Sequence, residues 1–295
     1  MEAGGPIAAG SIGVSLLVLV LKSAAWWFTG STALFSDAAE SIVNVASAAM
    51  AFGALHLSVK PADANHPYGH AKVEFFAAVA EGGLIVAAAL VILQHAWTAW
   101  QHPRGVDAPL FGVALNGTAS AVNAIWSVVL LRAGQRLRSP ALAADGRHLL
   151  TDVITSLTLI AGIGLVVLTG VTVLDPLLAA GVAAYILISG AYLIGASVGG
   201  LMDAAPSPPV VERIRDLVAE HASGAIEAHD LRTRHAGRVT FLEFHLVVPA
   251  AMTVADAHDI CDRIEAALRA EMGGLMITIH IEPEGKAKHR GVLVL

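Results

Sequence analysis

The 295-residue chain is 56% hydrophobic and only 14% charged, with a formal net charge of −6 and a mean hydropathy of +0.67. A soluble domain carries about 25% charged residues, so the composition excludes an ordinary soluble protein, and the acidic balance excludes nucleic acid as a partner. The single Cys261 excludes an internal disulfide framework and suits a reducing compartment.

The apolar excess is uneven. Residues 1–202 hold nearly all the long apolar runs, 203–284 read as a folded cytoplasmic domain, and 285–295 as a short C-terminal tail. A membrane-crossing helix needs about 20 predominantly apolar residues. Six segments meet this, at about 7–28, 33–56, 74–97, 109–131, 149–169 and 174–197. No basic region precedes the first, so a cleavable signal peptide is not expected.

Span 1 carries Lys22 near its outer end, where it is expected to snorkel beside Trp26 and Trp27. The link after span 2 holds Lys60 and Lys72, and the link after span 4 holds Arg132, Arg136, Arg138 and Arg147; the opposite side offers only Arg104. Short loops rich in Lys and Arg stay in the cytoplasm. Both termini are therefore expected to be cytoplasmic, in a multi-pass protein of the cell (inner) membrane.

Charges inside spans carry the functional signal, because an Asp or Arg at mid-membrane costs about 2.5–3.5 kcal/mol on insertion scales. Span 2 contains Asp37, Glu40 and Asn44, at i, i+3 and i+7 on one helical face. Span 5 presents His148 and Asp152 at i, i+4. Two helices that each offer an i, i+4 pair can close a four-ligand site of Glu40, Asn44, His148 and Asp152. Asp37 adds a carboxylate if it turns inward. Glu81 in span 3 is a lone buried carboxylate, read equally as a proton relay or a packing partner. Asn116 and Asn123 in span 4 read as packing glue.

Between spans 2 and 3, Asp63, His66 and His70 form a second group of ligand types, with His-x-x-x-His spacing. The domain after span 6 reads as helix 208–222, strand 226–234, strand 238–248, helix 253–271 and strand 275–282. This αββαβ order describes a small α+β module, ferredoxin-like or metallochaperone-like. Period-two alternation marks its strands, as in Thr240-Phe-Leu-Glu-Phe-His-Leu-Val247. Seven of the thirteen His fall in the last 95 residues. Among them His280, with Glu282, points to one side of one strand, while His221, His235 and His289 read as solvated. Cys261 reads as a buried apolar residue.

Together these residues resemble the cation diffusion facilitator family over nearly the whole chain. The resemblance rests on Asp37-x-x-Glu40-x-x-x-Asn44, on His148-x-x-x-Asp152, on Pro61-Ala-Asp-Ala-Asn-His-Pro-Tyr-Gly-His-Ala-Lys72, and on His229-Asp-Leu-Arg-Thr-Arg234. It implies a homodimer that exports a divalent transition metal from the cytoplasm by proton antiport. It implies that the transport site lies in spans 2 and 5 and that the loop of Asp63, His66 and His70 forms a peripheral metal site. It further implies a cytoplasmic cluster of His229, His245, His258, His280 and Glu282, and a charge interlock between protomers at Lys72 and Asp203.

Relatives of this kind more often carry Asp or His at position 40 and Asp at position 44. The neutral Asn44 removes one charge and one titratable group. His148 suits zinc, the favoured substrate and regulatory ligand, but also iron, cobalt or nickel; manganese remains a further option. A membrane-anchored metal sensor is the alternative of another class, disfavoured because an anchor needs no ligand pairs inside its spans. No enzymatic activity is expected; the His-Glu-x-x-His of a membrane metalloprotease is absent.

Overall fold

The computed structural model describes residues 4–29, 32–101, 110–171, 173–288 and 292–293; the side chains of 29, 32–37, 39–40, 110–113, 159, 162–164, 166–167, 175 and 292–293 are not described. The chain divides into two units, Met1–Val198 and Gly199–Leu295.

The first unit is helical. Its helices are α1 (Gly5–Thr29), α2 (Thr32–Ser58), α3 (Val73–Gln101), α4 (Leu110–Leu137), α5 (Pro140–Thr169) and α6 (Leu174–Leu201). Each has at least 25 residues, which at about 1.5 Å per residue spans more than a hydrocarbon core of about 30 Å. Five of them contain a stretch that is apolar enough, by length and composition, to cross a membrane. The sixth, α5, carries Asp145, Arg147, His148 and Asp152 in its first half.

Helices α1, α2, α4 and α5 pack against one another, and α3 lies against α2 and α5. The buried row of α1 is Ala8, Ser11, Ser15, Val18, Lys22 and Ala25, while Leu16, Leu17 and Val20 on the other side are about half exposed or more. Three- and four-residue steps place that row on one helical face. Lys22 belongs to it and is only 1% exposed. The expected snorkelling is thus corrected: the side chain sits in the helix-packing face and not in the lipid-facing one.

Helix α6 reaches α3 through two glycines. A Cβ on Gly82 would lie 2.7 Å from Ile194 Cγ1 and 3.2 Å from the carbonyl oxygen of Gly190. The missing side chain lets the two backbones approach, as small residues do in membrane helix pairs. Ala78, Ile85, Ala89, Ile186 and Leu193 fill the seam around that contact.

Helix α5 starts nine residues before the apolar run expected at 149. Ser139 and Pro140 supply its start: the Ser139 hydroxyl accepts from Leu142 N at 3.3 Å, and Pro140 begins the helix where no N–H is needed. His148 and Asp152 therefore lie in the body of the helix, two turns and more from its end.

The second unit contains α7 (Pro208–His221), β1 (Glu227–Ala236), β2 (Val239–Val248), α8 (Val254–Glu271), β3 (Leu275–Pro283), a short 3-10 turn (Glu284–Lys286) and β4 (Val292–Leu293). The order αββαβ is as expected, and β4 adds a two-residue strand at the edge of β1. The sheet order is β3-β2-β1-β4, with β1 antiparallel to β2 and β2 parallel to β3. Helix α8 makes the crossover that a parallel pair requires, and Thr253 caps it by accepting from Asp256 N.

One face of the sheet holds the core. Leu242, Phe244, Leu246 and Val248 of β2 pack with Ile214 and Val218 of α7 and with Ile260, Ile264 and Leu268 of α8. Cys261 is buried in the same core. Alternation then sends Glu243, His245 and Val247 to the opposite face.

Candidate metal centres

Three clusters of ligand-type side chains occur among the described residues. The first lies inside the helical unit. Asn44 on α2 meets His148 and Asp152 on α5, and all three are at most 3% exposed. His148 Nε2 lies 2.9 Å from Asn44 Oδ1, and the Asn44 amide donates to Asp152 Oδ2. His148 Nε2 is 4.0 Å from Asp152 Oδ1, as expected for i, i+4 on one face. The side chains of Glu40 and Asp37 lie outside the described residues.

The other ring nitrogen of His148 faces a residue from a different helix. Nδ1 is 2.9 Å from Glu81 Oε1, and Glu81 is 2% exposed. The two are close but not aligned as a full hydrogen bond. Between its two sequence readings, the lone carboxylate of α3 thus stands against a ligand-type side chain. Asp145, three residues before His148 on the same face, accepts from Ser11 of α1 at 2.6 Å. Ser139 donates to the buried Glu74 of α3. Asn116 and Asn123 are buried in α4, and both amide atoms of Asn123 lack a hydrogen-bond partner among the described residues.

The second cluster is the link between α2 and α3. Asp63 Oδ1 is 3.3 Å from His66 Nδ1, Asp63 Oδ2 is 3.4 Å from His70 Nε2, and the two rings lie 4.4 Å apart. The backbone N–H of His66 donates to Asp63 Oδ1 at 2.8 Å, and that of Asn65 at 2.9 Å. These bonds, His66 first, hold the Asp63 carboxyl below its usual range and keep it anionic. The carboxylate is a fixed acceptor with two imidazoles gathered over it, and the three ligand atoms lie within 4.8 Å of one another.

The third cluster crosses the sheet of the second unit, on the face away from α7 and α8. His229 of β1 is register partner of His245 of β2, and His245 is register partner of His280 of β3. Their rings are 5.3 and 4.9 Å apart in turn. Glu282 serves all three: it is 3.3 Å from His229 Nε2, 3.3 Å from His245 Nδ1 and 3.8 Å from His280 Nε2. Side-chain exposure falls along the row, from 66% at His280 to 36% at His245 and 3% at His229.

His258 is not brought to this row within the chain. It lies on α8, behind the sheet, 70% exposed and 3.9 Å from Asp262. Asp230 joins instead. A register shift between His229 and Arg232, with Asp230 at φ 53°, turns its side chain toward the row, and it groups with His229 and His245 as possible ligands. The Lys288 ammonium bonds to Asp230 and holds its carboxyl below the usual range. A strand pattern alone places neighbours on opposite faces, so no signal in the alternation marks this bulge.

Asp203 bonds to Arg234 at 3.1 Å inside the second unit. One further expectation changes. His221 and His235 are not freely solvated: His221 Nδ1 donates to Leu217 O at 3.0 Å, and His235 Nδ1 is 2.9 Å from Thr240 Oγ1. His289 lies outside the described residues.

Comparison with known proteins gives these geometries a context. Residues 9–202 match a family described as the cation efflux transmembrane domain, and residues 206–284 match the cytoplasmic domain of cation efflux proteins. An uncharacterized transporter of Synechocystis sp. is 41% identical over 278 residues, covering 94% of this chain and 90% of its own. The cation-efflux pump FieF of Pectobacterium atrosepticum is 32% identical over 278 residues, covering 92% and 89%. A solved structure of the putative zinc transporter CzrB, in a zinc form, is 50% identical; it covers 29% of this chain and 98% of its own, with a TM-score of 0.28.

Proposed function

This chain belongs to the cation diffusion facilitator family, and we propose that the ion it moves is zinc, carried out of the cytoplasm in exchange for protons. Members of the family are transporters of divalent metal ions and not enzymes, and the helical unit makes this one a multi-pass membrane protein.

One observation carries the reading: Asn44 of α2 converges on His148 and Asp152 of α5 in a buried cluster. Buried polar side chains in a membrane helix mark an ion path more often than a packing device when they include carboxylate and imidazole together. An imidazole nitrogen with carboxylate and amide oxygens suits zinc in a four-coordinate site, and Glu40 is the fourth ligand in this proposal. In the described arrangement the ligands hydrogen-bond to each other, so an arriving ion replaces those bonds. Carboxylate and imidazole bind metal only when deprotonated, which couples metal entry to proton departure.

The loop of Asp63, His66 and His70 is proposed as a peripheral site. The row of His229, His245, His280 and Glu282 is proposed as a cytoplasmic regulatory site in a homodimer. Orientation with both termini in the cytoplasm follows from the Lys and Arg of the links.

Flux into proteoliposomes with zinc, iron, cobalt, nickel and manganese, each with and without a pH gradient, tests the whole reading. Zinc uptake driven by the proton gradient is expected. Gradient-independent uptake overturns antiport, and a stronger response to another metal overturns zinc.

A further inference from the structure

Glu81 stands apart from the ligands proposed above, on a third helix, yet it is as deeply buried as they are. The buried positions of α3 include Ala78, Glu81, Gly82, Ile85 and Ala89, so its carboxylate lies on the packed face of the helix and not toward lipid. It lies 2.9 Å from Nδ1 of His148, while Nε2 of the same ring lies 2.9 Å from Asn44 Oδ1. The two ring nitrogens therefore face two different groups.

A neutral imidazole has one N–H and one lone pair, and the partner of one nitrogen decides which nitrogen carries the lone pair. The Glu81 carboxylate and Asn44 Oδ1 both accept, so without an ion the two compete for the one N–H of a neutral ring. An ion on Nε2, the nitrogen on the side of Asn44 and Asp152, replaces the Asn44 contact and leaves the N–H on Nδ1, facing Glu81. Hydrogen bonds of this kind are often poorly aligned before the ligand arrives and tighten with it, which fits a contact that is close but not collinear.

We propose that Glu81 is a positioning residue for the transport site: it holds Nδ1–H of His148 so that Nε2 is the atom offered to the divalent ion. The inference rests on the assignment of His148 and Asp152 to that site. Glu81 does not touch the ion. It fixes the tautomer and the ring plane, and removing such an outer partner of a metal-bound histidine typically lowers metal affinity by roughly 10–100-fold. A structural role for Glu81 would instead change how much folded protein is obtained and leave the tautomer of His148 alone.

The full-length protein in proteoliposomes decides between these. Glu81→Gln keeps the shape of the side chain and can either donate or accept, so the tautomer is no longer fixed. We expect the KM for zinc to rise roughly 10–100-fold with maximal flux changed far less. In protein labelled with 15N-histidine, with the His148 signals identified by their loss in His148→Asn, wild type with zinc is expected to show a protonated Nδ1 and a metal-bound Nε2. A wild-type KM in Glu81→Gln overturns the proposal, and so does zinc on Nδ1 in the wild-type spectrum, which needs no variant to fold. Asp152→Ala run in parallel separates the two levels. If it transports like wild type, the site assignment itself fails; if it is inactive while Glu81→Gln is normal, the site stands and the role of Glu81 falls.

Discussion

His148 Nε2 lies 2.9 Å from Asn44 Oδ1, a contact between residues 104 positions apart on α5 and α2, with both side chains at most 3% exposed. The pair ties together two helices that each carry part of the proposed transport site, and Asp152 completes it from the next turn of α5.

Removing the carboxylate of that site should stop transport. Asp152→Ala is expected to lower zinc flux by more than about a hundredfold, since even outer partners of a ligand are worth 10–100-fold. His148→Ala should do likewise. Both variants should elute from size exclusion as wild type does. Wild-type flux from either would sink the assignment.

Position 44 should set metal choice and proton coupling together. Asn44 is a neutral oxygen donor, and Asn44→Asp adds a charge and a titratable group against His148 and Asp152. The ranking of metals in the flux panel and the pH profile of zinc uptake are both expected to shift. If neither moves, Asn44 is not a ligand.

The seam between α3 and α6 should not accept a side chain at Gly82. Gly82→Val puts atoms where Ile194 Cγ1 and the Gly190 carbonyl already stand, and backbone cannot step aside as a flexible side-chain end can. A lower thermal midpoint for the detergent-solubilised protein is expected. An unchanged midpoint would show that the two helices separate at no cost.

The second unit should lose stability in acid through one identified pair. Arg213 of α7 holds Glu271 of α8 in a two-pronged contact, both bonds 2.6 Å, and the bonds from Arg213 depress the Glu271 carboxyl below its usual value. A carboxyl whose pKa is lower folded than unfolded adds stability above the unfolded value, about 4.3 for Glu, and loses it as pH falls through the folded value. Both groups are exposed, so the effect is modest. Hydrogen exchange in α7 and α8 should therefore accelerate in wild type as pH drops below about 4.3, beyond the intrinsic trend, and less so in Glu271→Gln. Identical acid profiles would refute it.

Cytoplasmic metal should change the arrangement of the paired tails. Two acidic tails repel, and ions held at the His229, His245, His280 and Glu282 row would offset that charge; only the difference in affinity between arrangements can shift their populations. Spin labels on the two tails of the dimer are expected to move closer with zinc in wild type and not in the His280→Ala, Glu282→Ala double variant. If wild type does not respond, the tail is a dimerisation module and not a sensor. If the double variant responds equally, the loop of Asp63, His66 and His70 becomes the candidate.

Much of this protein was legible from the sequence because hydropathy and periodicity are local. The apolar runs mark the helices, the alternation in Thr240–Val248 marks β2, and two i, i+4 pairs of polar residues in spans 2 and 5 mark a site that lipid would otherwise penalise. The tail strands follow the same logic, since period two places His280 and Glu282 together. What only the tertiary structure decided is which faces meet. Lys22 turns inward because α1 buries the row from Ala8 to Ala25 against its neighbours. Glu81 reaches His148 because α3 lies on α5. His229, His245 and His280 line up because strand register aligns them, while His258 stays behind the sheet because α8 packs on the other face. These relations join residues far apart in the chain, and their free energy comes from packing surfaces that no window of the sequence contains.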